Sequence, residues 1–219
     1  MFSATEENYL KCIYLLMEKN GIRPVTTNEI SEQMKTKAAT VTDMLKRLSD
    51  KRLIHYKKYQ GVKLTNTGEA SALSIVRKHR LWEYFLVEKL KFQWDEVHAV
   101  AEQLEHVNSE LLIEKLDAFL SHPKFDPHGD PIPDQQGKLS ASKFKNLTSL
   151  KVKEQGRVAA VIEQQPAFLK HLDRLHLHMS TPVKVLECIE YDKSMVISIN
   201  HTAGINISHD IAKNILVSK

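Results

Sequence analysis

The chain has little of what disulfide-bonded, phosphate-cradling or membrane-spanning proteins depend on. Its 219 residues contain two cysteines, Cys12 and Cys188, far apart and in no Cys-x-x-Cys pair. Neither a disulfide framework nor a structural zinc finger is expected from that. With seven glycines, loops shaped around phosphate are scarce. No phosphate-cradling loop, nucleophile elbow or His-Glu-x-x-His motif occurs. No Glu has a His three residues on, which argues against a di-iron carboxylate bundle. No apolar run approaches the ~18 residues of a membrane span, and the N-terminus lacks a leader pattern. A cytoplasmic, non-enzymatic protein with no membrane partner is the expectation.

Charge is present but unevenly placed. Residues 1–64 hold 12 Lys/Arg against 7 Asp/Glu, residues 65–130 hold 7 against 12, and residues 131–219 hold 12 against 8. The cationic first segment suits a polyanion, and the anionic middle suits a metal cation. Small domains scatter by a few charges anyway, so this pattern needs support from motifs.

Periodicity supplies it. Residues 5–20 read as a helix with Ser3 and Glu6 at capping-box spacing, and Thr26 with Glu29 opens a second helix. A third helix carries Val41, Leu45 and Leu48 inward. Leu53–Tyr56 and Val62–Leu64 read as strands around Lys57-Lys58-Tyr59-Gln60-Gly61. This is the plan of a winged helix-turn-helix over residues 1–64. Residues 65–140 read as a helical domain: a long helix including Arg77–Lys89, one from Asp95 to about Ser109, and one to Leu120. Residues 123–133 hold four of the seven prolines and read as a non-helical connection. Residues 147–219 carry short β-branched runs and one helix near Ala167–Leu175, which describes a small β-barrel of about five strands. The fold class is mainly α with a small β domain.

A winged helix-turn-helix presents its second helix to the major groove of double-stranded DNA. The residues at that position are Lys37, Ala38, Ala39, Thr40, Thr42 and Asp43, with Lys46 and Arg47 further along. Thr27, at the start of the preceding helix, and Lys57, Lys58 and Lys63 in the hairpin are placed for phosphate. The alternative is an adaptor whose winged helix contacts protein.

Six potential metal ligands stand at helical spacing in the middle segment: His79 and Glu83, then His98, Glu102, Glu105 and His106. The last four run at offsets 0, 4, 7 and 8, which places them on one face of a continuous helix. A single His/Glu pair four apart is more often a surface pair. Six on neighbouring helices point to a cation, since buried carboxylates and imidazoles need one. Oxygen ligands with imidazole and no thiolate favour Mn²⁺, or alternatively Fe²⁺, over tetrahedral zinc.

The order of these motifs resembles the diphtheria-toxin-repressor family of metal-dependent regulators, including its manganese-transport-regulator branch. The resemblance is carried by Glu7-Asn8-Tyr9-Leu10-Lys11-Cys12-Ile13-Tyr14, Lys78-His79-Arg80-Leu81, Val97-His98 through Glu105-His106-Val107, His122-Pro123 and Gly129-Asp130-Pro131-Ile132-Pro133. It covers essentially the whole chain, with residues 147–219 similar to an SH3-like (FeoA-like) domain. It implies a homodimeric repressor of metal-uptake genes with two metal sites per subunit. His79, Glu83 and His98 match an ancillary site; Asn8, Glu102, Glu105 and His106 match a primary one. Glu102 stands where iron-sensing members have cysteine, which implies manganese. Lys11 stands where some manganese members have a carboxylate, which implies an ancillary and primary site rather than a paired manganese site. For a third-domain ligand the remaining candidates are Glu163, Gln164 and Gln165.

Overall fold

The computed structural model describes residues 2–21, 23–58, 60–141, 144–200 and 202–218. Tyr59, in the expected hairpin turn, lies outside the described residues. The chain divides into two compact units that interleave in sequence. One comprises Met1–His79, Gln103–Glu110 and Pro133–Lys138; the other comprises Arg80–Glu102, Leu111–Ile132 and Leu139–Lys219.

In the first unit, α1 (Ala4–Asn20) starts at a complete capping box: Glu6 N–H donates to the Ser3 hydroxyl and the Glu6 carboxylate accepts from Ser3 N–H. It stops at Gly21, whose φ of 74° is left-handed, a conformation glycine adopts at little cost. α2 (Thr27–Gln33) opens on the Thr26/Glu29 capping box. α3 (Ala38–Asp50) buries Val41, Leu45 and Leu48, one stripe at offsets 0, 4 and 7. β1 (Ile54–Lys57) and β2 (Gly61–Leu64) pair antiparallel, Ile54 opposite Leu64. Val25 adds a short rung on the outer side of Val62. One apolar core joins these pieces, with Leu10, Ile13, Ile30, Leu45, Leu48 and Leu53 fully enclosed. The winged helix-turn-helix expected from the periodicity is the observed arrangement.

Beyond the wing come α4 (Asn66–Glu88), α5 (Val97–Leu104) and α6 (Glu110–Phe119). At Gly68 a Cβ would stand 1.9 Å from the Leu53 carbonyl oxygen, so only glycine lets the start of α4 rest on the wing. α5 is shorter than its periodicity suggests. It ends at Leu104, and Glu105 and His106 lie in a tight turn closed by Val107 N–H on Leu104 O. Asn108 and Ser109 follow, residues that favour turns and caps over helix interiors. His98, Glu102, Glu105 and His106 therefore do not share one helical face.

In the second unit, Leu81, Ile113, Leu116, Leu120 and Ile132 form one small core. A larger core fills the C-terminal β-domain. There β3 (Lys145–Asn146), β4 (Gln155–Val161), β5 (Pro182–Cys188), β6 (Met195–Ile199), β7 (Ile205–Ile207) and β8 (Ile215–Ser218) form a six-stranded sheet in the order β3-β8-β4-β5-β6-β7. Each neighbouring pair is antiparallel. Two short helices, α7 (Pro166–Arg174) and α8 (His209–Ala212), interrupt the strands. Alternation turns Val183, Val185, Ile197 and Ile199 inward. Among the described residues no helix is long and apolar enough to cross a membrane.

Candidate metal centre

The second unit gathers metal-ligand-type side chains around Glu83. This residue comes from the last two turns of α4, where its side chain is 4% exposed. One carboxylate oxygen lies 3.2 Å from His98 Nδ1, and the other 3.8 Å from His128 Nδ1. His98 sits near the start of α5, and its Nε2 lies 3.5 Å from Glu102 of the next turn. His128 belongs to the proline-rich connection, together with Asp126. Glu83, Asp126 and His128 are all buried, and each offers a ligand atom within 4.8 Å of the others.

Hydrogen bonds brace this connection. Asp126 Oδ1 accepts from the backbone N–H of His128 (2.8 Å) and of Asp130 (2.9 Å). Arg80 donates to Pro131 O at 2.7 Å and points its Nε at Asp126 Oδ2 from 3.7 Å. Gln164 reaches the same loop from the β-domain, donating to Asp130 at 2.8 Å. Trp94 covers His128, edge to face at 6.2 Å, and offers its carbonyl oxygen to Nε2 at 3.4 Å.

Burial disfavours charge on His128, but the nearby Glu83 carboxylate and the charge of Asp126 outweigh it and lift the imidazole to about 9. Bonds to Glu102 and then Glu83 lift His98 to about 9 as well. Burial pushes the Asp126 carboxyl upward, and repulsion from Asp130 and Glu83 adds to this. A hard divalent ion taking the same lone pairs would displace the protons on these groups. Two carboxylates and imidazole without thiolate form a donor set suited to Mn²⁺ or Fe²⁺.

The first unit holds His79, Glu105, His106 and Asn8. His79 Nδ1 lies 2.6 Å from Glu105 Oε2, and the Lys11 ammonium lies 2.7 Å from the same carboxylate. His106 Nδ1 meets Glu7 at 2.6 Å. Glu7 is buried, whereas Asn8 is half-buried, so α1 turns Glu7 rather than Asn8 toward His106. Glu105 is completely enclosed. Burial raises its pKa, but the His79 bond and the Lys11 charge prevail and hold it below the ordinary value. Removing one partner of such a buried pair typically costs about 3–5 kcal/mol. Cys12 lies in the apolar core, with burial pushing its thiol to about 12.

The expected nucleic-acid face is exposed where it needs to be. Lys37, Ala38, Ala39, Thr40, Asp43, Lys46 and Arg47 are all exposed, as are Lys57, Lys58 and Lys63; Thr27 and Thr42 are half-buried. Lys37 caps α3 without a side-chain bond, and a helix N-terminus favours phosphate. Thr42 donates to Ala38 O at 2.9 Å, so its hydroxyl hydrogen is committed to the helix. Asp43 and Lys46 form a 3.3 Å surface pair, worth under about 1 kcal/mol.

Sequence reasoning missed Asp126, His128 and Glu7 as ligand-type residues. The first two carried a readable signal. Asp-Pro-His places two donors two residues apart, hence on one side of an extended chain, with proline fixing the backbone between them.

Comparison with known proteins follows the same division of the chain. Residues 1–62 match the model described as iron dependent repressor, N-terminal DNA binding domain. Residues 65–134 match iron dependent repressor, metal binding and dimerisation domain, and residues 145–219 match the FeoA domain. The iron-dependent repressor IdeR of Mycobacterium leprae is 37% identical over 129 residues, 59% of this chain and 55% of the relative. The chain thus spans about half the length of the curated relatives of this kind that it matches. Among solved structures, a manganese-dependent transcriptional repressor in complex with manganese is 31% identical, with a TM-score of 0.80 over 97% of this chain and 98% of that one. ScaR with bound Zn²⁺ is 33% identical, with a TM-score of 0.71 over 98% of this chain and 99% of that one. With three domain models in unbroken order and solved relatives covered almost end to end, the chain belongs to the diphtheria-toxin-repressor family of metal-dependent transcriptional regulators.

Proposed function

We propose that this protein is a cytoplasmic, homodimeric transcriptional regulator that binds operator DNA when loaded with Mn²⁺ or Fe²⁺, and that it represses metal-uptake genes. The observation that carries this reading is the buried Glu83, Asp126 and His128 cluster, in a chain that also displays an exposed, cation-bearing recognition helix. Glu83, Asp126 and His128 supply the enclosed ligands, with His98 on the second oxygen of Glu83. Glu105, expected in a second site with Asn8, Glu102 and His106, is already paired with Lys11 and His79, which supports one ion per chain over two. The relatives crystallised with manganese and zinc support a divalent ion as effector. Exposed Leu111 and Phe119 of α6, 65% and 62% accessible, provide apolar surface for self-association.

Glu83, Asp126 and His128 would hold the ion, and the positive charge it would supply favours the loop conformation in which these side chains converge. DNA and metal then strengthen each other's binding by the same factor. Lys37, Lys46 and Arg47, with Lys57 and Lys58, neutralise phosphates, while Ala38, Ala39, Thr40 and Asp43 face base edges.

The test is selection from a random duplex pool, with the metal-free protein and with Mn²⁺ or anaerobic Fe²⁺ added. Enrichment of a palindrome only with metal, abolished by Glu83→Gln, is the expected result. Enrichment without metal overturns the switch, and no enrichment under any condition favours the protein-contacting adaptor.

A further inference from the structure

The cluster around Glu105 already contains a cation, and it belongs to the polypeptide. The Lys11 ammonium stands 2.7 Å from both oxygens of the Glu105 carboxylate, with the two side chains 9% and 0% exposed. His79 takes one of those oxygens at 2.6 Å, and His106 Nε2 faces the other from 3.8 Å. One turn earlier on α1, Glu7 takes His106 Nδ1 at 2.6 Å. Glu7 and Lys11 are four residues apart, so α1 presents a carboxylate and an ammonium on one face. Two carboxylates and two imidazoles are a sufficient donor set for a divalent ion, whose oxygen contacts would fall near about 2.0–2.2 Å. Such an ion would have to share the Glu105 carboxylate with a buried positive charge, where repulsion is poorly screened.

We infer that Lys11 is a tethered substitute for a metal ion at Glu105, so that this second cluster binds no divalent cation in the native chain and becomes a metal site when Lys11 loses its charge. The sequence motif for the primary site is thus retained while its occupant is internal. The fastening of α1 to residues 105 and 106 is then independent of metal supply. The inference stands on the first unit alone: Glu83→Gln reads the site proposed above, and Lys11→Met reads this one.

The experiment is a count of bound Mn²⁺ per chain by equilibrium dialysis with elemental analysis. It compares the unmodified protein, Lys11→Met, Glu105→Gln and the Lys11→Met/Glu105→Gln double variant. The expected result is one additional ion in Lys11→Met, absent again in the double variant, and an unchanged count in Glu105→Gln. Thermal unfolding of Lys11→Met should also show a larger Mn²⁺-induced rise in midpoint than the unmodified protein shows. A folded Lys11→Met with no extra ion overturns the inference. So does the loss of one ion from Glu105→Gln, a result that decides the matter even if Lys11→Met fails to fold.

Discussion

The backbone N–H of Val161 donates to the carbonyl of His128 at 2.8 Å. This bond ties the loop that carries Asp126 and His128 to the end of β4, so the C-terminal sheet helps to set where the imidazole stands. Gly129 makes the approach possible. Its φ is +90°, and a Cβ there would lie 2.2 Å from Ala160 Cβ and 2.3 Å from the Ala159 carbonyl oxygen.

Gly129→Ala is therefore expected to push the loop off β4. Left-handed strain and the clash together cost on the order of 1–3 kcal/mol, and Mn²⁺ affinity should fall at least about tenfold as Asp126 and His128 lose register. Titration with Mn²⁺ alongside urea unfolding measures both effects. Unchanged affinity in the variant would show that the loop supplies no ligand.

Metal binding should release protons and strengthen as pH rises. His128 and His98 both titrate near 9, above the unperturbed ~6.5, so both are protonated at neutral pH without metal. An ion that takes both imidazoles displaces about two protons, giving up to about a hundredfold in apparent affinity per pH unit between about 6.5 and 9. In the metal-free protein the sign is opposite. The stabilisation from protonated His128 is fully present below about 6.5 and fades as pH climbs through about 9. Calorimetry in buffers of different ionisation enthalpy counts the protons; a flat pH dependence contradicts the assignment of these ligands.

Thr26→Ala removes the hydroxyl that accepts from Glu29 N–H at 3.2 Å. Loss of an N-cap of this type costs about 1 kcal/mol, with no effect on Mn²⁺ binding. Arg23 and the Thr26 N–H hold the Glu29 carboxyl down at about 2. Its contribution to stability is therefore present above about 4.5 and lost as pH falls toward 2. Denaturant titration at pH 7 checks the cap, and the same titration at pH 3 should show the difference between Thr26→Ala and the unmodified chain narrowing.

Lys46→Ala should weaken operator binding across sequences and reduce the slope of log affinity against log salt by about one. Thr40→Ala, by contrast, should change preference at one base position and leave the slope alone. Fluorescence anisotropy over a salt series separates the two. A Lys46 variant with an unaltered slope would remove that residue from the phosphate-contacting set.

Local rules made the winged helix legible. Capping boxes at Ser3 and Thr26, the stripe of Val41, Leu45 and Leu48, and the alternation around Lys57–Gly61 are short-range signals, and each has its counterpart in the structure. The ligand arrangement depended on longer-range contacts. Helical spacing put Glu105 and His106 in line with His98, but buried bonds to Lys11, His79 and Glu7 go with a chain that turns after Leu104. Periodicity cannot register a partner 94 residues away. The small β-domain was visible as a composition of short β-branched runs, while its strand order came only from pairing, as in β4 lying between β5 and β8. Asp126 and His128 read as turn formers because proline and glycine dominate their neighbourhood.

Trp94 gives this chain an optical reporter of its own. Its indole meets His128 edge to face at 6.2 Å and His178 at 5.8 Å, whereas Trp82 packs against Phe85. Those are the only two tryptophans in the sequence. A positively charged imidazole beside an indole perturbs its excited state differently from a neutral one, so the emission of Trp94 follows the state of His128. Metal binding at Asp126 and His128, as proposed, would then register in that emission without a label in the unmodified protein.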